Sequence, residues 1–273
     1  MKNVAVLLAL GCAALLFVVA VVAKQPRHDR DWQPHLSRLP HVEMGEGIFQ
    51  VSPYRDWSYP VGSGPVQIWK RLPSHRIEDV RRAWFVVEPH PGQPLMAHTL
   101  VLFEFADGDL IGLTVEARKE AGEKYSVVRG ALNGFELIYQ WATPRDLLAR
   151  RAVYLNKELY LYPLVLSQEE VEAYLTALLQ RTESIETHAR FYNTLTSNCT
   201  NELAKTAGLD WDFAFILTGR ADAALYRMGR IEGRGPFESV RQSARIDPAV
   251  RTLADLPDAA FNARLLSDRR GGT

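Results

Sequence analysis

His98-Thr-Leu-Val-Leu-Phe-Glu-Phe105, then Ala106-Asp107-Gly108-Asp109, then Leu110-Ile-Gly-Leu-Thr-Val-Glu-Ala-Arg118 is the stretch on which the fold turns. Two apolar runs of strand length flank an Asp-Gly pair, the pattern of a β-hairpin. In the second run Ile111, Leu113, Val115 and Ala117 are apolar, while Thr114, Glu116 and Arg118 are polar. That alternation gives a strand two different faces. Further strands are predicted at Trp84–Val87, Phe135–Trp141 and Leu159–Leu166. Ser167-Gln-Glu-Glu170 then forms a capping box, followed by Val171, Tyr174, Leu175, Leu178 and Leu179 at helical spacing. This helix is predicted to run to about Thr187, and a polar loop leads from it to a second helix. Strands, a long helix and then a short helix indicate an α+β protein with a mainly antiparallel sheet.

The chain has 273 residues, 47% hydrophobic and 23% charged, the composition of a globular domain with a substantial core. Its 32 basic residues balance 32 acidic ones, which leaves no broad basic field for nucleic acid. Residues 1–24 read as a transmembrane anchor or signal peptide. The apolar run Val4–Ala23, at about 1.5 Å per residue, just spans a hydrocarbon core of about 30 Å. Val21-Val22-Ala23 would serve as a cleavage site, whereas the length of the run favours an anchor. Lys24, Arg27 and Arg30 follow the run and Lys2 alone precedes it, a charge count that favours a cytoplasmic domain. Residues 25–60 read as an extended lead-in segment, 61–260 as the domain, and 261–273 as a flexible tail.

The chain has two cysteines, Cys12 in the apolar run and Cys199 in Ser197-Asn198-Cys199-Thr200. In an exported domain Cys199 has no intramolecular partner, so it is a free thiol, an intermolecular link or a small core residue. Ser197 and Asn198 are helix N-cap residues, which sets Cys199 in a first helical turn. Unpaired N–H groups and the positive dipole end there favour a thiolate. A nucleophilic cysteine needs a base, and His98, at the start of an apolar strand, is the candidate. Glu116 is the candidate third member. A two-residue turn at Asp107-Gly108 puts His98 opposite Ala117, with Glu116 on the other face; a register one residue different brings Glu116 opposite His98. His28, His35 and His41 match no compact metal site, and no metal or cofactor is expected.

Met96-Ala97-His98-Thr99, Val115-Glu116-Ala117-Arg118-Lys119, Tyr160-Leu-Tyr-Pro-Leu164 and Phe191-Tyr-Asn-Thr194 into Ser197-Asn-Cys-Thr200 occur in one order. Together with Arg55-Asp56-Trp57 they make residues 30–235 resemble the Lnb N-terminal periplasmic domain family, named for a bacterial lipoprotein N-acyltransferase. The resemblance implies a thiol acyl-transfer site of His98 and Cys199. Histidine before cysteine is also similar to permuted NlpC-type enzymes such as lecithin retinol acyltransferase, which implies a permuted papain/NlpC-like fold. It implies a periplasmic domain too, against the charge count. Lnb-type proteins can carry further membrane helices after this domain, and no second such apolar run follows here, which leaves room for a different acyl donor or reaction.

The expected function is a Cys–His acyltransferase at the periplasmic face of the inner membrane. Cys199 would form a thioester from a lipid or lipoprotein ester and pass the acyl group to an amine. His98 would be the base, Glu116 would orient it, and Asn198 would assist the oxyanion or support the site. The partners are then a lipid or lipoprotein substrate and, through the N-terminal segment, the membrane. The alternatives are a cysteine amidase or peptidase on cell-wall peptide, and a non-catalytic membrane-tethered interaction domain.

Overall fold

The computed structural model describes residues 11–12, 23–208 and 213–267. The N-terminal anchor or signal segment falls almost wholly outside the described residues. Among those described, no helix is long and apolar enough to cross a membrane.

The chain is α+β, as its pattern indicates. Strands β1 (His41–Gly45), β2 (Ile48–Ser52), β3 (Tyr54–Arg55), β4 (Trp69–Lys70) and β5 (His75–Arg76) come first. They are followed by β6 (Val80–Pro89), β7 (Ala97–Phe105), β8 (Leu110–Arg118), β9 (Phe135–Ala142), β10 (Tyr160–Pro163) and β11 (Phe191–Tyr192). The main sheet has the order β10-β6-β7-β8-β9-β3-β4, with β11 also paired to β9. Among the described residues its one parallel pair is β3 with β9. A small sheet, β1-β2-β5, stands apart. Residues 25–60, expected to be an extended lead-in, thus contain a paired hairpin.

Helices cover both faces of the main sheet. They are α1 (Val127–Ala131), α2 (Pro144–Ala149), α3 (Gln168–Thr187), α4 (Cys199–Thr206), α5 (Ala221–Arg227), α6 (Phe237–Ser243), α7 (Asp247–Leu253) and α8 (Asp258–Leu266). The α3 helix starts at the predicted capping box, with Ser167 and Glu170 each bonding the other's backbone. Val101, Phe103 and Phe105 face one core with Leu175 and Leu178 of α3 and Leu203 of α4. Leu100 and Leu102 face a second core with Leu147 of α2, Val250 of α7 and Phe261 of α8. Successive residues of β7 therefore serve opposite cores, as the period of two requires. Phe261, Leu265 and Leu266, expected in a flexible tail, are instead buried against the sheet at the end of α8.

The turn between β7 and β8 departs from the two-residue expectation. The chain closes with Phe105 N donating to Asp109 O (2.9 Å) and Gly108 N to Phe105 O (2.9 Å), so the loop is Ala106-Asp107-Gly108. Gly108 takes φ +87°, the left-handed position of a three-residue hairpin loop. The extra loop residue pairs Leu100 with Thr114. Carried two residues on, that register sets His98 across from Glu116, the alternative pairing.

A second feature fixes the segment that precedes the sheet. Asp146, fully buried in α2, accepts from Arg55 Nε (2.8 Å) and Nη2 (3.0 Å), from Trp57 N (2.9 Å) and from Tyr59 Oη (3.0 Å). Gly112 lets α2 lie close on β8, since a Cβ there would come within 2.5 Å of Leu147 Cδ1.

Asp146→Ala strands the Arg55 guanidinium without its partner, and chemical denaturation should show a loss of about 3–5 kcal/mol. Gly108→Ala should lower stability by about 1 kcal/mol through backbone strain alone. A Gly108→Ala protein as stable as the parent would mean that the loop does not hold this turn.

Candidate active site

The site lies where the start of β7, the end of β8 and the start of α4 meet. Ala97 is held by Thr218, whose hydroxyl accepts from Ala97 N (2.7 Å) and donates to Ala97 O (2.6 Å). That fixes the backbone beside His98. On the neighbouring strand, His98 Nε2 lies 2.7 Å from Thr114 Oγ1 and 3.2 Å from Glu116 Oε1. The Thr114 hydroxyl donates in turn to Glu116 Oε1 (3.1 Å). With Nε2 engaged in this way, Nδ1 is the ring nitrogen left for the thiol.

Cys199 is the first residue of α4, and Asn198 is its N-cap. Asn198 Oδ1 accepts from Asn201 N (2.8 Å), which satisfies one of the orphan donors of the first turn. Its Nδ2 donates to Thr194 O (2.9 Å) and Phe215 O (3.0 Å). Both amide hydrogens are spent on carbonyls, so the side chain clamps the cysteine loop against the segment around Phe215 and has no donor left for an oxyanion. Cys199 is 3% exposed. Its Sγ lies 3.9 Å from Thr200 Oγ1, which bonds Thr99 Oγ1 at 3.0 Å.

The three titratable groups reinforce one another. Burial opposes protonation of His98, but the Glu116 carboxylate and then the Cys199 thiolate outweigh it and lift its pKa from 6.5 to about 10. Burial likewise opposes ionisation of Cys199, yet His98 and hydrogen bonds from Thr99 bring its pKa below the usual thiol value. Glu116 is held well below the carboxylate range: burial pushes it up, and His98, Arg151 and Lys119 outweigh that. Each charge favours the other, so the arrangement shifts the pair toward thiolate and imidazolium.

Arg151 completes the chain of charges and was not evident from the sequence. It follows α2 in a π-helical turn, Arg150–Tyr154, a distortion frequent at functional sites. Its Nη2 donates to Glu116 Oε1 (2.9 Å) and lies 3.3 Å from Thr114 Oγ1, while Nε is 3.0 Å from Glu88 Oε2. The one available signal was two adjacent cations, Arg150 and Arg151, inside the apolar run from Leu147 to Val153. Thr114, two residues before Glu116 on the same strand face, carried a weaker signal.

Above the sulfur opens a cleft of about 490 Å³ lined by His98, Glu116, Asn198 and Cys199. Leu95, Met96, Val127, Leu195, Ile216 and Leu217 give it apolar lining. Lys119, Arg150, Arg151 and Lys157 line it as well. Of the remaining histidines, His35 is bonded by Arg150 Nη2 (3.0 Å), and burial with two arginines pushes it down to about 2. His28 lies 2.8 Å from Ile185 O, and His41 pairs with Glu186 at 2.7 Å.

Compared with known proteins, residues 70–213 match the family model of the Lnb N-terminal periplasmic domain. The matched span covers more than half of the chain and contains His98, Glu116, Asn198 and Cys199. No curated protein and no solved structure matches.

The charge arrangement sets a pH profile. An isolated thiol with the ordinary value of 9.0 alkylates about tenfold faster per pH unit up to that value. Here the lowered thiol and the raised imidazole favour the thiolate–imidazolium pair. Alkylation of Cys199 by iodoacetamide should therefore rise less steeply between pH 7.5 and 9.5 than the roughly tenfold per unit of an ordinary thiol. His98→Ala should restore a steep rise with pH, because burial of the thiol is then uncompensated. The same steep rise in the parent protein would contradict the ion pair.

Proposed function

We propose, for a chain that belongs to the Lnb N-terminal periplasmic domain family, that Cys199 and His98 transfer an acyl group through a thioester at the periplasmic face of the inner membrane. The observation that carries this reading is a thiol paired with a raised-pKa histidine at the floor of a cleft with apolar lining. The family's periplasmic assignment supports the location. The order of histidine strand before cysteine helix supports a permuted NlpC-type arrangement. An N-terminal segment retained as an anchor would hold the site near its lipid and raise the effective concentration of an embedded substrate.

In the first half-reaction the thiolate attacks the ester carbonyl carbon, and the C–S bond forms. The negative charge on the oxygen is met by the Cys199 N–H and the dipole at the start of α4. As the tetrahedral intermediate collapses, the C–O bond breaks and His98 gives its proton to the departing alcohol. Glu116 and Thr114 hold the ring through Nε2, and Arg151 holds Glu116. In the second half-reaction an amine attacks the thioester carbon and His98 takes the amine proton. The C–N bond forms and the C–S bond breaks, which returns the thiolate. An amidase or peptidase would use the same thiol on a peptide; the apolar lining favours an acyl chain over a peptide.

Intact mass spectrometry of the full chain after incubation with phospholipid or diacylated lipopeptide tests the reading. The parent protein should gain a fatty-acyl mass that hydroxylamine removes, and Cys199→Ser and His98→Ala should not. No adduct with either lipid, together with poor alkylation of Cys199 at neutral pH, would move the assignment to a tethered interaction domain.

A further inference from the structure

The cleft holds more positive charge than its own carboxylates use. Its carboxylates are Glu88 and Glu116, and Arg151 engages both. Lys119, Arg150 and Lys157 line the same cavity and form no ion pair with any described residue. Arg150 has a neutral partner, donating from Nη2 to His35 Nε2. Burial is the main cause of the lowered pKa of both Lys119 and Arg150; Glu116 offsets it in part, and neighbouring arginines add to it. Unneutralised cations in a partly buried cleft are held at an electrostatic cost unless an anion relieves it.

The positions of these cations suggest what that anion is. Lys119 follows Glu116 by three residues at the end of β8, and Arg150 precedes Arg151 in the π-helical turn. Lys119 and Arg150 both feel the charge of Glu116 and Lys157 that of His90, while Leu95, Val127, Leu195 and Leu217 give the cleft apolar lining. Leu95, Val127 and Leu195 are also exposed to solvent at the surface, so the apolar lining reaches the outside. An amphiphile with an acyl chain and an anionic head matches both surfaces.

Building on the acyl-transfer reading, we propose that Lys119, Arg150 and Lys157 bind the phosphate of a phospholipid-type acyl donor and hold its ester over Cys199. Arginine offers a planar fork to two phosphate oxygens and lysine a compact charge to a third. The cations choose the donor, since a neutral diacylglyceryl group brings no anion to them.

Binding to the full-length Cys199→Ser chain in nonionic detergent, followed by calorimetry, separates this site from the chemistry. The probes are dihexanoyl phosphatidylglycerol, the phosphate-free dihexanoylglycerol and inorganic phosphate. The phosphatidylglycerol should bind at least tenfold more tightly than dihexanoylglycerol. Lys119→Gln and the half-exposed Lys157→Gln should each weaken it about tenfold, and circular dichroism should report both variants folded. If inorganic phosphate binds as tightly, with the same dependence on Lys119, phosphate recognition holds and a free phosphate is the ligand. Equal binding of the two lipids, no binding of any probe, or lysine variants that bind like the parent overturns the proposal. A thioester that never forms while phosphate binding persists would refute the acyl-transfer reading alone.

Discussion

Everything at the site depends on the pairing register of β7 and β8. A strand has two faces, and a slip of one residue exchanges them. The loop at Gly108 includes one residue more than a two-residue turn, and that residue brings Glu116 and Thr114 onto the face where His98 points. The same register sends Val101 and Phe103 to one core and Leu100 and Leu102 to the other. Packing on both sides therefore holds the register, and the cores fix the geometry of the site from a distance.

Given that register, the site behaves as a row of alternating charges. Cys199, His98, Glu116, Arg151 and Glu88 alternate in sign from the helix start to β6. Each member is partly or wholly removed from water, where a lone charge is costly and a paired one much less so. Neutralising any one of them leaves its neighbours uncompensated. Ionisation of Cys199 is thus favoured by residues several bonds away and by the helix on which it sits.

Much of this was legible in the sequence. The capping box at Ser167, the strand Leu110–Arg118 and the cysteine at a helix start were all readable, because local patterns determine them. The loop length was not, since Asp107-Gly108 is compatible with two hairpin geometries and the choice between them depends on packing at both cores. The strand pairing of residues 41–52 was hidden for a similar reason: the burial of β1 is confined to Val42, so no alternation stood out. Arg151 was hidden because its side-chain partners come from two strands distant in sequence, Glu88 on β6 and Thr114 and Glu116 on β8, and sequence spacing has no access to that convergence. The tail was misread from its Arg-Gly end, which lies beyond the helix that Phe261 and Leu266 bury.

The hydrogen bonds from Thr218 to Ala97 have a consequence for how such a protein changes over time. The reactive pair lies within residues 70–213, whereas Ile216, Leu217 and Thr218, which shape one side of the cleft, come after them. The pair and this side of the cleft come from different lengths of chain, joined beside the site by the Thr218–Ala97 bonds and by Asn198 Nδ2 donating to Phe215 O. Replacing the later segment would reshape that side of the cleft while the Cys199–His98 pair stays as it is, so the two can change separately.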